Sequence, residues 1–361
     1  MKHDMLIEID EQRYLGDSIA SIERDADSLI DSFREVDSVH MLGSGDSYFA
    51  AEAVLPLFQS AGEVQFHSHT AHQFSQYVAP RIGSGDMVVP ISVSGNSIRT
   101  VEAADRARDS GATIVGVTNS KDGMLHKEFD DSLLMNLDTE PGWIPGTLTY
   151  TGLVGTLFYL GIRITERGGD RPAEIEMLHR TLESVGEAID FCDPIAETVA
   201  ANLSYTDPPE PIYLLGGGQS RATAQYGAAK FLELCDTLAI GQESEEFAHH
   251  EYWNIDKSNP VFVLAPEGAG FGRTQEVAAG IRRFGNDVVV VTDDNDFTDL
   301  GKYSFEIPVA DNRFSPLLYQ IPLQLTTYYY ALKQGLDPNN GSHVDPHRKA
   351  VADEIHSGKR Y

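Results

Sequence analysis

Residues 242–253 read "QESEEFAHHEYW", four glutamates and two adjacent histidines set among aromatics. Carboxylates and imidazoles spaced like this can hold a metal ion, pass protons near neutral pH, or simply form a charged face. Glu246-x-x-His249 and, earlier in the chain, Glu176-x-x-His179 have the spacing of di-iron carboxylate bundles, which also require two further inward glutamates on a four-helix core. A second chemistry-bearing group is "SVSGNS" at 92–97. Here Ser92, Ser94 and Ser97 are spaced to face one turn, and Gly95 lets the backbone approach a ligand. Hydroxyls at a strand-to-helix turn suit a phosphate, because the unpaired N–H groups and dipole of the helix favour an anion there; the same serines also serve as helix caps. Ser47 in "GSGDSY" lies at a neighbouring strand end. Neither G-x-x-x-x-G-K-[ST] nor G-x-G-x-x-G is present, so nucleotide binding is not expected.

Such turns need parallel strands that end side by side. In "SVHMLGSGDSYFAAEAVLPLF" an apolar strand, a Gly/Ser turn and a helix from about Tyr48 follow one another. The unit recurs as strand Met87–Ser92, turn Ser92–Ser97, and a helix with Ile98, Val101 and Ala104 on one face, ended by Gly111 before strand Thr113–Val117. Residues 171–210 read as helical, with a break at "DPPEP". Beyond it "PIYLLGGGQSRATAQYGAAKFLEL", then "PVFVLAPEGAG" with "TQEVAAGIRRFGNDVVVVT", repeat the plan. The fold class expected is α/β, as two tandem domains, each a parallel sheet flanked by helices. The expected boundaries are an N-terminal helical arm at 1–30, a first domain at 31–170, a helical linker at 171–206, a second domain at 207–336, and a tail at 337–361 packing over the active site. In an α/β chain without H-E-x-x-H, neither a metal nor a cofactor is expected.

The 361 residues carry 55 Asp plus Glu against 27 Lys plus Arg, a formal charge of −28, which argues against nucleic acid and anionic membranes as partners. The acids are spread along the whole chain, as in a strongly hydrated surface suited to a salt-rich, halophilic cytosol. Without a long apolar run or a signal-type N-terminus, a cytoplasmic location is expected. Cys192 and Cys235 lack a C-x-x-C partner and are expected to be buried small hydrophobes.

"GSGDSY", "ISVSGNS" and "VGVTNS" resemble the sugar isomerase, or SIS, domain, and their order resembles the isomerase half of glucosamine-6-phosphate synthase. The likeness runs from "EIDEQ" at 8–12 through "GAAKFLEL", "EEFAHH" and "PVFVLAP" to "YQIPLQLTTYYYALKQGLDP" at 319–338. It implies that Glu233 is the catalytic carboxylate, Lys230 the active-site lysine, and His249 the ring-opening histidine that serves a neighbouring subunit. It also implies that Ser47, Ser92, Ser94 and Ser97 bind the phosphate. Lys349 in "DPHRKAV" is the implied counterpart of the Schiff-base lysine, with Lys359 competing for that role. His250 and Glu251 replace the family's glycine and proline after the histidine.

The activity implied is proton transfer between C1 and C2 of a hexose or amino-hexose 6-phosphate, with ammonia release as in stand-alone archaeal glucosamine-6-phosphate deaminases. The chain starts at the isomerase half, so a glutaminase domain is not expected. A fructosamine-6-phosphate-type deglycase and a non-catalytic sugar-phosphate sensor are the alternatives. The partners implied are the sugar phosphate and a second copy of the chain. A homodimer with shared active sites would place "EEFAHH", with Phe247, Tyr252 and Trp253, at its interface.

Overall fold

The structure is a computed structural model that describes residues 4–29, 36–60, 62, 64–139, 145–166, 172–203, 210–339 and 345–356. They form two compact units. One comprises the described residues within Tyr14–Thr139, Leu148–His179 and Pro346–Tyr361; the other, those within Met1–Arg13, Glu140–Thr147 and Arg180–Asp345.

The first of these holds strands β1 (Ser38–Gly43), β2 (Gln65–Thr70), β3 (Asp86–Pro90), β4 (Thr113–Thr118) and β5 (Asp131–Leu134), all parallel, in the order β2-β1-β3-β4-β5. The other holds β6 (Ile212–Gly216), β7 (Ala239–Glu243), β8 (Val261–Ala265), β9 (Val288–Thr292) and β10 (Tyr303–Glu306), also parallel, in the order β10-β9-β8-β6-β7. Read from β7, that is the same order. The tandem α/β plan expected from the sequence is therefore present. Central strands of such sheets are covered on both faces, and accordingly every residue of β6, β8 and β9 is buried. In each sheet the winding reverses once, between β1 and β3 and between β6 and β8. Ligands of open α/β sheets bind at the carboxyl ends of the strands flanking such a reversal.

Local chemistry sets the boundaries. The helix Asp46–Gln59 begins two residues before the expected Tyr48, because Gly45 takes φ 57° and turns the chain there. β3 stops at Pro90, short of the expected Ser92. Proline offers no N–H to the ladder, and pairing to β4 resumes only as the isolated bridge Ile91–Val117. The helix Ile98–Asp109 buries Val101 and Ala104 and ends where Gly111, at φ 91°, lets Ala112 N–H reach the Ala107 carbonyl at 3.1 Å.

In the β6–β10 unit the N-terminal helix Asp4–Glu11 packs on the helices Val185–Asn202 and Ile321–Lys333, burying Met5 and Ile9 in the same core as Phe231 and Leu323. Cys192 and Cys235 are buried in that core too, and burial pushes both thiols well above their ordinary pKa, as expected of inert small hydrophobes. No helix among the described residues is long and apolar enough to cross a membrane.

Candidate functional site

The β3 turn gathers its serines. Ser92 is buried, tied to the sheet by its N–H on the Val117 carbonyl at 3.0 Å, and its hydroxyl lies 3.2 Å from Ser97 Oγ and 3.5 Å from Ser94 Oγ. Ser97 occupies the cap position of the helix Ile98–Asp109, yet its hydroxyl makes no cap bond and instead meets Ser92. A cap role therefore does not account for this residue. Gly95 takes φ 68° and rests on Gly123; a Cβ on Gly95 would stand 2.9 Å from Gly123 Cα. Two glycines back to back thus fix the loop, and three hydroxyls converge beside a helix N-terminus, an arrangement suited to a phosphate. Ser47 is buried on the second residue of Asp46–Gln59, after β1, the strand next to β3. All four serines therefore lie at the carboxyl ends of the two strands that flank the reversal.

In the β6–β10 unit, Lys230 and Glu233 sit one turn apart on the helix Gln219–Leu234. The Lys230 side chain is 1% exposed, and its Nζ donates to Glu233 Oε2 at 2.8 Å and to the Pro145 carbonyl at 2.9 Å. The Tyr226 ring lies 5.1 Å from Nζ, at a distance where its π face favours a cation. Removing one member of a buried pair strands the other charge, so the two carboxyl and ammonium groups hold each other in place. Glu233 keeps 32% of its side chain exposed. A fixed ammonium beside an accessible carboxylate is a device for taking and returning a proton. Tyr226 was legible in principle, being one turn before Lys230 on the same helix. Pro145 was not, since it is 85 residues distant.

The remaining expected residues lie elsewhere. His249 closes the short helix Ser244–His249, is 65% exposed, and is bonded to Glu245 at 2.9 Å; Arg273 grips the same carboxylate and holds its pKa below the usual range. His250 pairs with Glu246 at 3.5 Å. Phe247 does not belong to an exposed aromatic face: it is buried against Tyr213 in the core of its own unit, while Tyr252 and Trp253 are exposed. An amphipathic turn explains the difference, with Phe247 on the inner side of a helix whose outer side is charged. His179 is bonded to Glu23, and among the described residues no three His, Cys, Asp or Glu side chains are placed to hold a metal ion. Lys349 lies on the helix Pro346–His356, which buries no residue, and pairs with Asp353 at 3.2 Å. Lys359 falls outside the described residues.

Comparison with known proteins agrees with this architecture. A family model described as the SIS domain matches residues 32–158 and 208–333. The chain is 28% identical over 312 residues to a glutamine–fructose-6-phosphate aminotransferase [isomerizing] of Thermotoga maritima, covering 85% of this chain and 50% of that protein. It thus spans about half the length of the curated relatives it matches. Among solved structures, the C-terminal domain of a glucosamine-fructose-6-phosphate aminotransferase from Francisella tularensis superposes with a TM-score of 0.83 at 21% identity, covering 93% of this chain and 98% of that one. A glucosamine-6-phosphate deaminase from Thermotoga maritima gives 0.74 at 18%, covering 94% and 98%.

Proposed function

The chain belongs to the SIS domain family, and on that premise we propose that it is a phosphosugar isomerase or deaminase acting on a hexose or amino-hexose 6-phosphate. The observation that carries this reading is the buried Lys230 ammonium fixed 2.8 Å from the accessible Glu233 carboxylate. In the open-chain sugar, Glu233 takes the proton from one of C1 and C2 and returns it to the other, through an enediol or enolamine. Lys230 holds the carboxylate in place, and hydrogen-bond donors steady the developing oxyanion. Ser47, Ser92, Ser94 and Ser97 hold the phosphate by hydroxyl and helix N–H donors. His249, exposed at the end of its helix, opens the sugar ring in the partner of a homodimer. Lys349 is the proposed Schiff-base lysine.

The test is an assay of hexose and amino-hexose 6-phosphates at high salt, scored for ketose formation, ammonia release and exchange of the C1 or C2 hydrogen with solvent. Wild type should process at least one substrate, and Glu233→Gln, which keeps shape but deletes the base, should lose roughly 10²-fold or more of the exchange. Exchange at the wild-type rate in Glu233→Gln would overturn the assignment.

A further inference from the structure

Lys230 is one end of a chain of buried polar groups that starts at Gln12, in the 3-10 turn Gln12–Tyr14 directly after the N-terminal helix. Gln12, Gln320, Gln324 and Tyr226 are all fully buried. Gln12 Nε2 donates to Gln324 Oε1 at 2.8 Å, and Gln324 Nε2 donates to the Tyr226 hydroxyl at 3.0 Å and also to Gln320. The Tyr226 ring in turn faces Lys230 Nζ. A second strand of contacts reaches the same ammonium from the N-terminal helix itself. Buried Glu8 accepts from Thr147 Oγ1 at 3.4 Å, and Thr147 is two residues from Pro145, whose carbonyl accepts from Lys230.

Three buried glutamines are more than packing requires. Each amide must find partners for a carbonyl and an NH2 group or leave a costly orphan in the core, so such a network persists only where nearly every donor is matched. Matched, it fixes side-chain orientation more tightly than apolar contact does, and the group so oriented here is the aromatic ring beneath the ammonium. We propose that Gln12, Gln324 and Tyr226 are positioning residues that hold Lys230 in register with Glu233. The N-terminal segment is thereby a working part of the proton-transfer site, although residue 12 lies more than 200 positions before it. This inference rests on the proton-transfer reading of Glu233.

The test compares Tyr226→Phe, which deletes only the hydroxyl, with Gln12→Leu and the double variant, in the full chain and with Glu233→Gln assayed in parallel. Loosening Lys230 by a fraction of its reach should lower kcat roughly tenfold in each single variant while KM for the sugar phosphate changes little. Because both residues act through one chain, the double variant should be no worse than the more damaged single variant. Should Gln12→Leu fail to fold, Tyr226→Phe, with its kcat read apart from its KM, carries the decision. An inactive Glu233→Gln beside a Tyr226→Phe with wild-type kcat overturns this inference alone. A Glu233→Gln with wild-type exchange overturns it together with the proposed reaction.

Discussion

The two SIS domains are built on one template but equipped differently. Gly45 and Gly218 take nearly the same backbone conformation, φ 57°, ψ −130° and φ 56°, ψ −128°, at the start of the helix that follows the first strand of each sheet. Gly43 and Gly216 likewise abut the serine four residues on, where an added Cβ would stand 2.7 Å from Ser47 Cβ or Ser220 Cβ. Counting along the two helices from these glycines pairs Ala53 with Tyr226, Leu57 with Lys230, and Ser60 with Glu233. The Lys230–Glu233 ion pair and the Tyr226 ring beside it thus exist in the second domain, while the first has buried Ala53 and Leu57 and an exposed Ser60 at the same positions. At the other turn the roles reverse. After β3 come the convergent hydroxyls of "SVSGNS". After β8 comes "PEGAG", where Glu267 N–H bonds Asp293 at 2.8 Å and the charge of Asp293 raises the Glu267 pKa. A phosphate would be repelled from a turn already crowded with carboxylates. The two sheets are equivalent scaffolds, and the side chains on the elements that follow their strands differ.

The largest effect on this division is expected at the serine turn. Ser94→Ala with Ser97→Ala should raise KM for the phosphorylated sugar roughly a hundredfold or more, each lost hydrogen bond to a charged group being worth ~1.5–3 kcal/mol, with the thermal midpoint nearly unchanged. Removing Glu267 from the corresponding turn of the second domain should leave KM alone. Unchanged affinity in the serine double variant would take the phosphate away from this turn and break the comparison.

A smaller recovery should come from mixing chains. His249→Ala and Glu233→Gln are each expected to be inactive, and co-assembled heterodimers should regain part of the activity through one complete site. Subunit exchange is shown separately by co-purification of differently tagged chains. Mixed dimers that form and stay inactive would restrict His249 to its own chain and remove the exposed face around Trp253 from the shared site.

The smallest effect separates the domains by pH. The β1–β2 ladder sets His40 against His67, and the β6–β7 ladder sets Tyr213 against Ile240. His40 Nδ1 lies 3.1 Å from His69 Nε2, Ser38 bonds both His40 and Asp86, and Phe74 packs on the two rings. Burial, then the charges of His40 and His67, bring the His69 pKa down to about 4; burial, then His67, lowers that of His40 despite Asp86. An imidazole depressed in the folded state takes its proton first in the unfolded chain. Its contribution is therefore whole above about pH 6.5 and is lost as pH falls toward 4. Discounted for partial exposure, this is ~1–2 kcal/mol. Hydrogen exchange between pH 7 and 4.5 should show β1 and β2 loosening before β6 and β7, and His69→Phe should flatten that difference. Equal loosening of the two sheets would remove the histidine cluster as its cause.

The sequence by itself determined the units. Apolar runs, glycine turns and helical periodicity are local, so the repeated strand-turn-helix plan was legible, and so was the serine group, whose members fall within six consecutive residues. The pairing of Lys230 with Glu233 was also within reach, at one helical turn. Tertiary structure alone decided what holds that pair. The Pro145 carbonyl meets Lys230 across 85 residues of sequence, Gln324 meets Tyr226 across 98 and Gln12 meets Gln324 across 312, and a buried glutamine has no local signature to separate it from a solvated one. It decided as well that Phe247 is core and His249 surface, because inner and outer sides of a six-residue helix are distinguished only by what packs beneath it. Periodicity fixes which residues share an element; only packing fixes which distant elements complete each other's hydrogen bonds.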